Sequence, residues 1–176
     1  METYVKPPRT GMEAFELMPE GTLCELINDN LVMSPAPTPG HQRFSKQLFK
    51  AIERLVEAND LGEVLYSLVD VYLNERNVYQ PDIIFVSKEQ TTIIDWNKGI
   101  MGAPDLVIEI LSKGNKNYDL NKKKAVYEAE GVKEYWVVNY KTKWCEGFVL
   151  ENGAYQSLGE GNGKLTIRMF DLPISF

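Results

Sequence analysis

Two carboxylates stand among apolar residues. Asp82, in the dipeptide Pro81-Asp82, precedes Ile83, Ile84, Phe85 and Val86, and Glu109 follows Leu106, Val107 and Ile108. Such runs read as strands buried on both faces, where an acid is almost never left unpaired. Three lysines, Lys122, Lys123 and Lys124, follow at the start of an expected helix. Two acids on neighbouring strands can hold a hard divalent cation, Mg²⁺ or Mn²⁺, through oxygen. The cation removes their mutual repulsion and polarises a phosphoryl oxygen or activates a water. A lysine from the run then balances charge developing on the phosphate. The same residues also fit a structural reading, with the acids satisfied by Lys or Arg partners and the lysine run solvated.

The elements that must position these groups are legible in outline. Thr10 and Glu13 form a capping box for a short helix. Residues 23–27 and 31–33, joined by Asn28-Asp29-Asn30, read as a hairpin. Glu25 falls between Leu23 and Ile27 on one face of its strand, which fits either an irregular edge strand or a site residue. A proline-rich loop, 34–40, leads into a long helix from His41 to about Ala58, with Phe44, Leu48, Ile52 and Val56 at helical spacing. A histidine at such a position is structural or functional. Residues 63–73 read as one strand, with Asp70 alternating toward solvent, and 78–86 as another. Asp95-Trp96-Asn97 reads as an exposed turn. The strand carrying Glu109 is followed by a loop over 112–118 and a helix from Leu120 to about Glu130, with Asp119 as its N-cap and Gly131 as its end. Strands at 134–138, 144–150, 154–158 and 164–169 complete the chain. The pattern is a mixed α/β (α+β) domain around one central sheet.

At 176 residues, with 44% hydrophobic and 25% charged residues, the chain is read as a single domain, 1–176, large enough for its own core. No apolar run approaches the ~20 residues that cross a bilayer, and no signal-peptide pattern opens the chain. The expectation is a cytoplasmic protein. Cys24 and Cys145 read as reduced thiols, and a single histidine excludes a Cys/His zinc cluster. The net charge of −6 and pI of about 4.9 weigh against non-specific nucleic-acid binding.

Several phrases together resemble one family. They are Glu25-Leu-Ile-Asn-Asp-Asn-Leu-Val-Met-Ser-Pro-Ala-Pro, His41-Gln42, Val69-Asp70-Val71, Gln80-Pro-Asp-Ile-Ile-Phe-Val-Ser, Gly102-Ala-Pro-Asp-Leu-Val-Ile-Glu-Ile-Leu-Ser, Asp119-Leu-Asn-Lys-Lys, Tyr127 and Gly131-Val-Lys-Glu-Tyr-Trp-Val-Val. In this order, over about residues 10–150, they resemble the Uma-two family of restriction endonucleases, within the PD-(D/E)XK nuclease superfamily. The resemblance implies a restriction-endonuclease-like mixed sheet flanked by helices, its nuclease core over about 20–150, and Mg²⁺- or Mn²⁺-dependent hydrolysis of DNA phosphodiesters. It implies metal binding by Asp82, Glu109 and the Ile110 carbonyl. Leu111 stands where the superfamily has its lysine, so the resemblance moves that role to Lys123, four before Tyr127, or to Lys122. Glu25, His41 and Gln42 would border the site, and Lys113 and Lys116 would hold the scissile phosphate. Cutting both strands favours a homodimer, for which the apolar C-terminal residues Phe170, Leu172, Ile174 and Phe176 offer a surface, unless they close the core. The rival reading is a catalytically inactive nuclease fold that binds nucleic acid or a protein.

Overall fold

The computed structural model describes residues 7–111 and 119–176, without the side chains of Asp119 and Leu120. The expected loop over 112–118, with Lys113 and Lys116, lies outside the described residues, as does the side chain of the expected N-cap Asp119.

The chain opens with α1 (Gly11–Glu16), capped by Thr10, whose Oγ1 accepts from the Glu13 amide at 3.1 Å. The Glu13 carboxylate returns to the Arg9 amide, one residue earlier than a capping box requires. The hairpin of β1 (Cys24–Ile27) and β2 (Asn30–Met33) turns through Asn28 and Asp29. Both have positive φ, 49° and 67°, the geometry of a two-residue turn that Asn and Asp tolerate. In α2 (Pro39–Ala58), Thr38 caps the helix and Pro39 occupies its first turn. Phe44, Leu48, Ile52 and Val56 form its buried stripe, and His41 continues that stripe at the N-terminal end. The helix therefore aims His41 inward.

The remaining elements are β3 (Gly62–Tyr66), β4 (Val71–Asn74), β5 (Asn77–Tyr79), β6 (Ile83–Ser87), a 3₁₀ turn (Lys88–Ile93), β7 (Ile94–Asp95), β8 (Gly99–Ile100) and β9 (Leu106–Ile110). A π-helical turn (Asp119–Lys123) runs into α3 (Lys124–Glu130), which Gly131 ends at φ 92°. Then come β10 (Glu134–Val138), β11 (Trp144–Glu151), β12 (Ala154–Asn162) and a hairpin of β13 (Lys164–Ile167) and β14 (Leu172–Ser175).

The mixed α/β architecture is as expected, but apart from the β13–β14 hairpin the strands divide into two six-stranded sheets rather than one. Their orders are β2-β1-β5-β4-β8-β7 and β12-β11-β10-β9-β6-β3. The division follows from two breaks. The strand expected over 63–73 is cut where Ser67 and Leu68 take positive φ, 39° and 67°, which leaves β3 in the second sheet and β4 in the first. The strand expected over 78–86 is cut at Gln80-Pro81-Asp82, since Pro81 has no N–H for the ladder. The Ser67 amide donates to the Asp82 carbonyl at 3.1 Å, so the two crossings lie side by side. Asp82 thus sits where the chain passes between sheets.

Both faces of the second sheet are covered. Leu106, Ile108 and Ile110 of β9 pack in a cluster with the α2 stripe, and Val107 and Leu111 pack in another with Tyr127 and first-sheet residues. Strand alternation puts Glu109 on the latter side. Ile174 is buried, and Phe170, Leu172 and Phe176 pack against the α2 cluster. The C-terminal segment therefore packs on the core, with Phe170, Leu172 and Phe176 left half-buried. Both cysteines are buried and free. Among the described residues no helix is long and apolar enough to cross a membrane.

β3 enters its sheet through Gly62, at φ 145°, where a Cβ would lie 2.2 Å from the Val86 carbonyl oxygen. Gly62→Ala is expected to cost about 2–3 kcal/mol, from strain and overpacking together. The midpoint of urea denaturation checks it.

Candidate active site

The sheets, α2 and α3 bring their acids and bases to one cavity of about 310 Å³. Its floor holds Glu25 from β1, Asp82 from the crossing, Glu109 and Ile110 from β9, Lys123 from the π-helical turn and His41 from α2. Its rim is the proline loop Ser34, Pro35, Ala36, Pro37 and Thr38 on one side and Ser67, Leu68, Tyr140 and Lys141 on the others. A larger cavity, about 590 Å³, lies past Gln80 and Leu68, which line both. It contains Asp70 and Trp96 but neither Asp82 nor Glu109.

The Lys123 ammonium is the centre of the polar network. It donates to Glu25 Oε1 at 2.8 Å and Glu109 Oε1 at 3.0 Å, with all three residues no more than 6% exposed. Glu25 Oε1 also accepts the Gln80 amide at 2.8 Å. Glu109 Oε1 also accepts the Tyr127 hydroxyl at 2.8 Å. Lys123 and Tyr127 are one helical turn apart, so a single face delivers both donors to Glu109. Burial pushes the Tyr127 phenol well above its ordinary pKa, and the charges of Glu109 and Glu25 push it further. It remains a neutral donor. Tyr127→Phe is expected to lower stability by about 1.5–3 kcal/mol, the worth of a hydrogen bond to a charged group, read as a shift in urea midpoint.

Asp82 is oriented separately. Its Oδ2 accepts the Ile110 amide at 2.7 Å, and its Oδ1 lies 3.3 Å from His41 Nε2. The same nitrogen lies 3.1 Å from the Ile110 carbonyl oxygen. Burial favours the neutral imidazole, but the hydrogen bond and charge of Asp82, the Ile110 carbonyl and the charge of Glu109 outweigh it and raise the pKa of His41.

Several expectations are corrected by this geometry. Glu25 is on no edge strand, since β1 lies between β2 and β5, and its buried carboxylate lines the cavity. Asp70 does not face solvent on a continuous strand. It accepts Gln80 Nε2 at 2.8 Å, and burial with the charge of Glu25 raises its pKa despite that bond. Gln42 follows His41 by about 100° around α2, and its side chain is absent from the cavity lining. Lys122 is exposed for the same helical reason, while Lys123 is buried. Leu111, where a lysine was expected, is a core residue. Gln80 and Tyr140 enter the site without having been singled out. The i, i+4 spacing of Lys123 and Tyr127 was the available signal for the tyrosine.

Among the described residues no three His, Cys, Asp or Glu side chains are grouped to hold a metal ion. The ligands that the resemblance implies are Asp82, Glu109 and the Ile110 carbonyl, which line the cavity. All are oxygen donors, the chemistry that Mg²⁺ and Mn²⁺ take. Asp82 Oδ1 and the Ile110 oxygen already converge on one point, now filled by His41 Nε2. The donor set fits a hard divalent cation.

Comparison with known proteins agrees with this architecture. A crystal structure described as a putative nuclease belonging to DUF820, from Anabaena variabilis, superposes with a TM-score of 0.77 at 18% sequence identity. The alignment covers 96% of this chain and 95% of that one, so the two share a fold. No curated protein matches the sequence. The model of the Uma2 family, described as "Putative restriction endonuclease", matches residues 12–172. With that match spanning nearly its whole length, the chain belongs to the Uma2 family.

Proposed function

We propose that the chain is a divalent-metal-dependent endonuclease that hydrolyses phosphodiester bonds in DNA, working as one domain. The observation that carries this reading is the convergence of Asp82, Glu109 and Lys123 in one cavity, from three elements far apart in sequence. Nuclease family membership and fold support it.

Asp82, Glu109 and the Ile110 carbonyl would hold Mg²⁺ or Mn²⁺, which when bound supplies Lewis-acid polarisation of the phosphate and an activated water. The chain's own groups do the rest. Lys123 directs an ammonium to the cavity, where it orients the attacking water and stabilises charge on the phosphate oxygens. Glu25 holds that ammonium in place, and the Gln80 amide fixes Glu25. Tyr127 sets the rotamer of Glu109 through its hydroxyl. The low exposure of these groups strengthens each electrostatic contact. Lys141 at the rim adds a cation on the approach, a part that the resemblance also assigns to Lys113 and Lys116.

Supercoiled plasmid DNA is expected to be nicked in Mg²⁺ or Mn²⁺ and left intact with chelator. Nicking that survives chelation contradicts the proposal. A second reading, a non-catalytic nuclease fold that binds nucleic acid or protein, is favoured by one feature. Lys123 already satisfies Glu25 and Glu109 without a metal. That reading predicts neither nicking nor Mn²⁺ binding by calorimetry.

A further inference from the structure

His41 Nε2 lies 3.1 Å from the Ile110 carbonyl oxygen and 3.3 Å from Asp82 Oδ1. A carbonyl oxygen offers only lone pairs, so the nitrogen facing it at this distance carries its hydrogen. The Ile110 oxygen that receives this N–H and the Asp82 Oδ1 beside it are two of the three donors assigned above to the divalent cation. The other ring nitrogen, Nδ1, is buried and has no hydrogen-bond partner. The ring is therefore held by its Nε2 side and by the edge-on contact with Tyr140, with centroids 6.1 Å apart. No polar contact fixes the Nδ1 side.

We propose that His41 is a placeholder for the metal: its Nε2–H occupies, in the metal-free protein, the point between Asp82 and Ile110 that the cation takes. The inference rests on the metal-dependent reading above. An N–H and a cation both need the facing lone pairs of Asp82 Oδ1 and the Ile110 oxygen, and they cannot share them. Binding of the cation requires the imidazole to turn away and lose both contacts. The placeholder keeps the half-buried Asp82 carboxylate and the Ile110 carbonyl paired when no metal is present, which limits their desolvation penalty. It does so at the expense of metal affinity. A histidine that served instead as a ligand through Nε2 would need the lone pair there, and would meet the Ile110 carbonyl with like charge.

The two roles predict opposite signs. Mn²⁺ is titrated calorimetrically into metal-free wild type, His41→Ala and His41→Leu, the last keeping apolar packing against Tyr140. Both variants are expected to bind Mn²⁺ about tenfold tighter, or more, since a hydrogen bond to a charged group is removed from the competing state. Their thermal midpoints without metal are expected to fall, and the gain in midpoint on adding Mn²⁺ to exceed that of wild type. If His41→Ala does not fold, His41→Leu gives the same reading. Weaker binding in the variants makes His41 a ligand and overturns the proposal, and unchanged binding overturns it as well. No binding by any of the three, wild type included, removes the metal reading and this inference with it. Weaker binding by the variants alone leaves the metal reading standing.

Discussion

Lys123→Met unfolds at a markedly lower urea concentration than wild type at pH 7, with a loss of about 3–5 kcal/mol, the usual result of removing one partner from a buried ion pair. The size of the effect follows from the network. The ammonium sits between Glu25 Oε1 and Glu109 Oε1 at 2.8 and 3.0 Å, and both carboxylates are almost fully buried. Methionine fills a similar volume but removes the ammonium that both acids receive. Their repulsion and desolvation then disfavour the charged forms. Adding Glu25→Gln to Lys123→Met removes one of the two charges and recovers a large part of the loss. A double variant no more stable than Lys123→Met would show that the network does not couple these residues.

Glu109→Gln retains the shape of the side chain and an acceptor for Tyr127 and Lys123, yet it loses metal-dependent cleavage. The expected drop exceeds the roughly 10–100-fold that changes in outer-shell residues of metal sites cost, because a charged oxygen donor is itself removed. The variant is also expected to lose the thermal stabilisation that Mn²⁺ is expected to give wild type by mass action on the native state. Near-wild-type stability without metal accompanies both losses, since Lys123 remains paired with Glu25. A Glu109→Gln protein that still cleaves at wild-type rate with Mn²⁺ would move the metal elsewhere.

Much of this site was legible from the chain. Asp82 and Glu109 stood out because an acid in an apolar strand needs a partner, and the structure supplies one for each. The lysine run narrowed to Lys123 because only one of three consecutive helical positions faces inward, but the run itself gives no phase. The family resemblance, which sets the lysine four residues before Tyr127, favoured Lys123 over Lys122. The two-sheet division was not legible. Residues 63–73 alternate as a single strand would, and the break at Ser67 and Leu68 depends on positive φ at residues with no intrinsic preference for it. Pro81 did announce its break, as a residue without an N–H must. Glu25 looked misplaced under strict alternation because its partners, Lys123 and the Gln80 amide, come from sequence positions 98 and 55 residues away. No local pattern encodes such contacts. His41 was ambiguous for a similar reason. The helical stripe aims it inward, but only the tertiary structure places Asp82 and Ile110 above it.

The most direct test of the account is nicking of supercoiled plasmid in Mn²⁺ by wild type and Asp82→Ala, purified in parallel and matched for folding by circular dichroism. The account predicts nicking by wild type alone, abolished by chelator and restored by added Mn²⁺. Equal nicking by both proteins would contradict it, because the cleavage would then owe nothing to the acid at the crossing between the sheets.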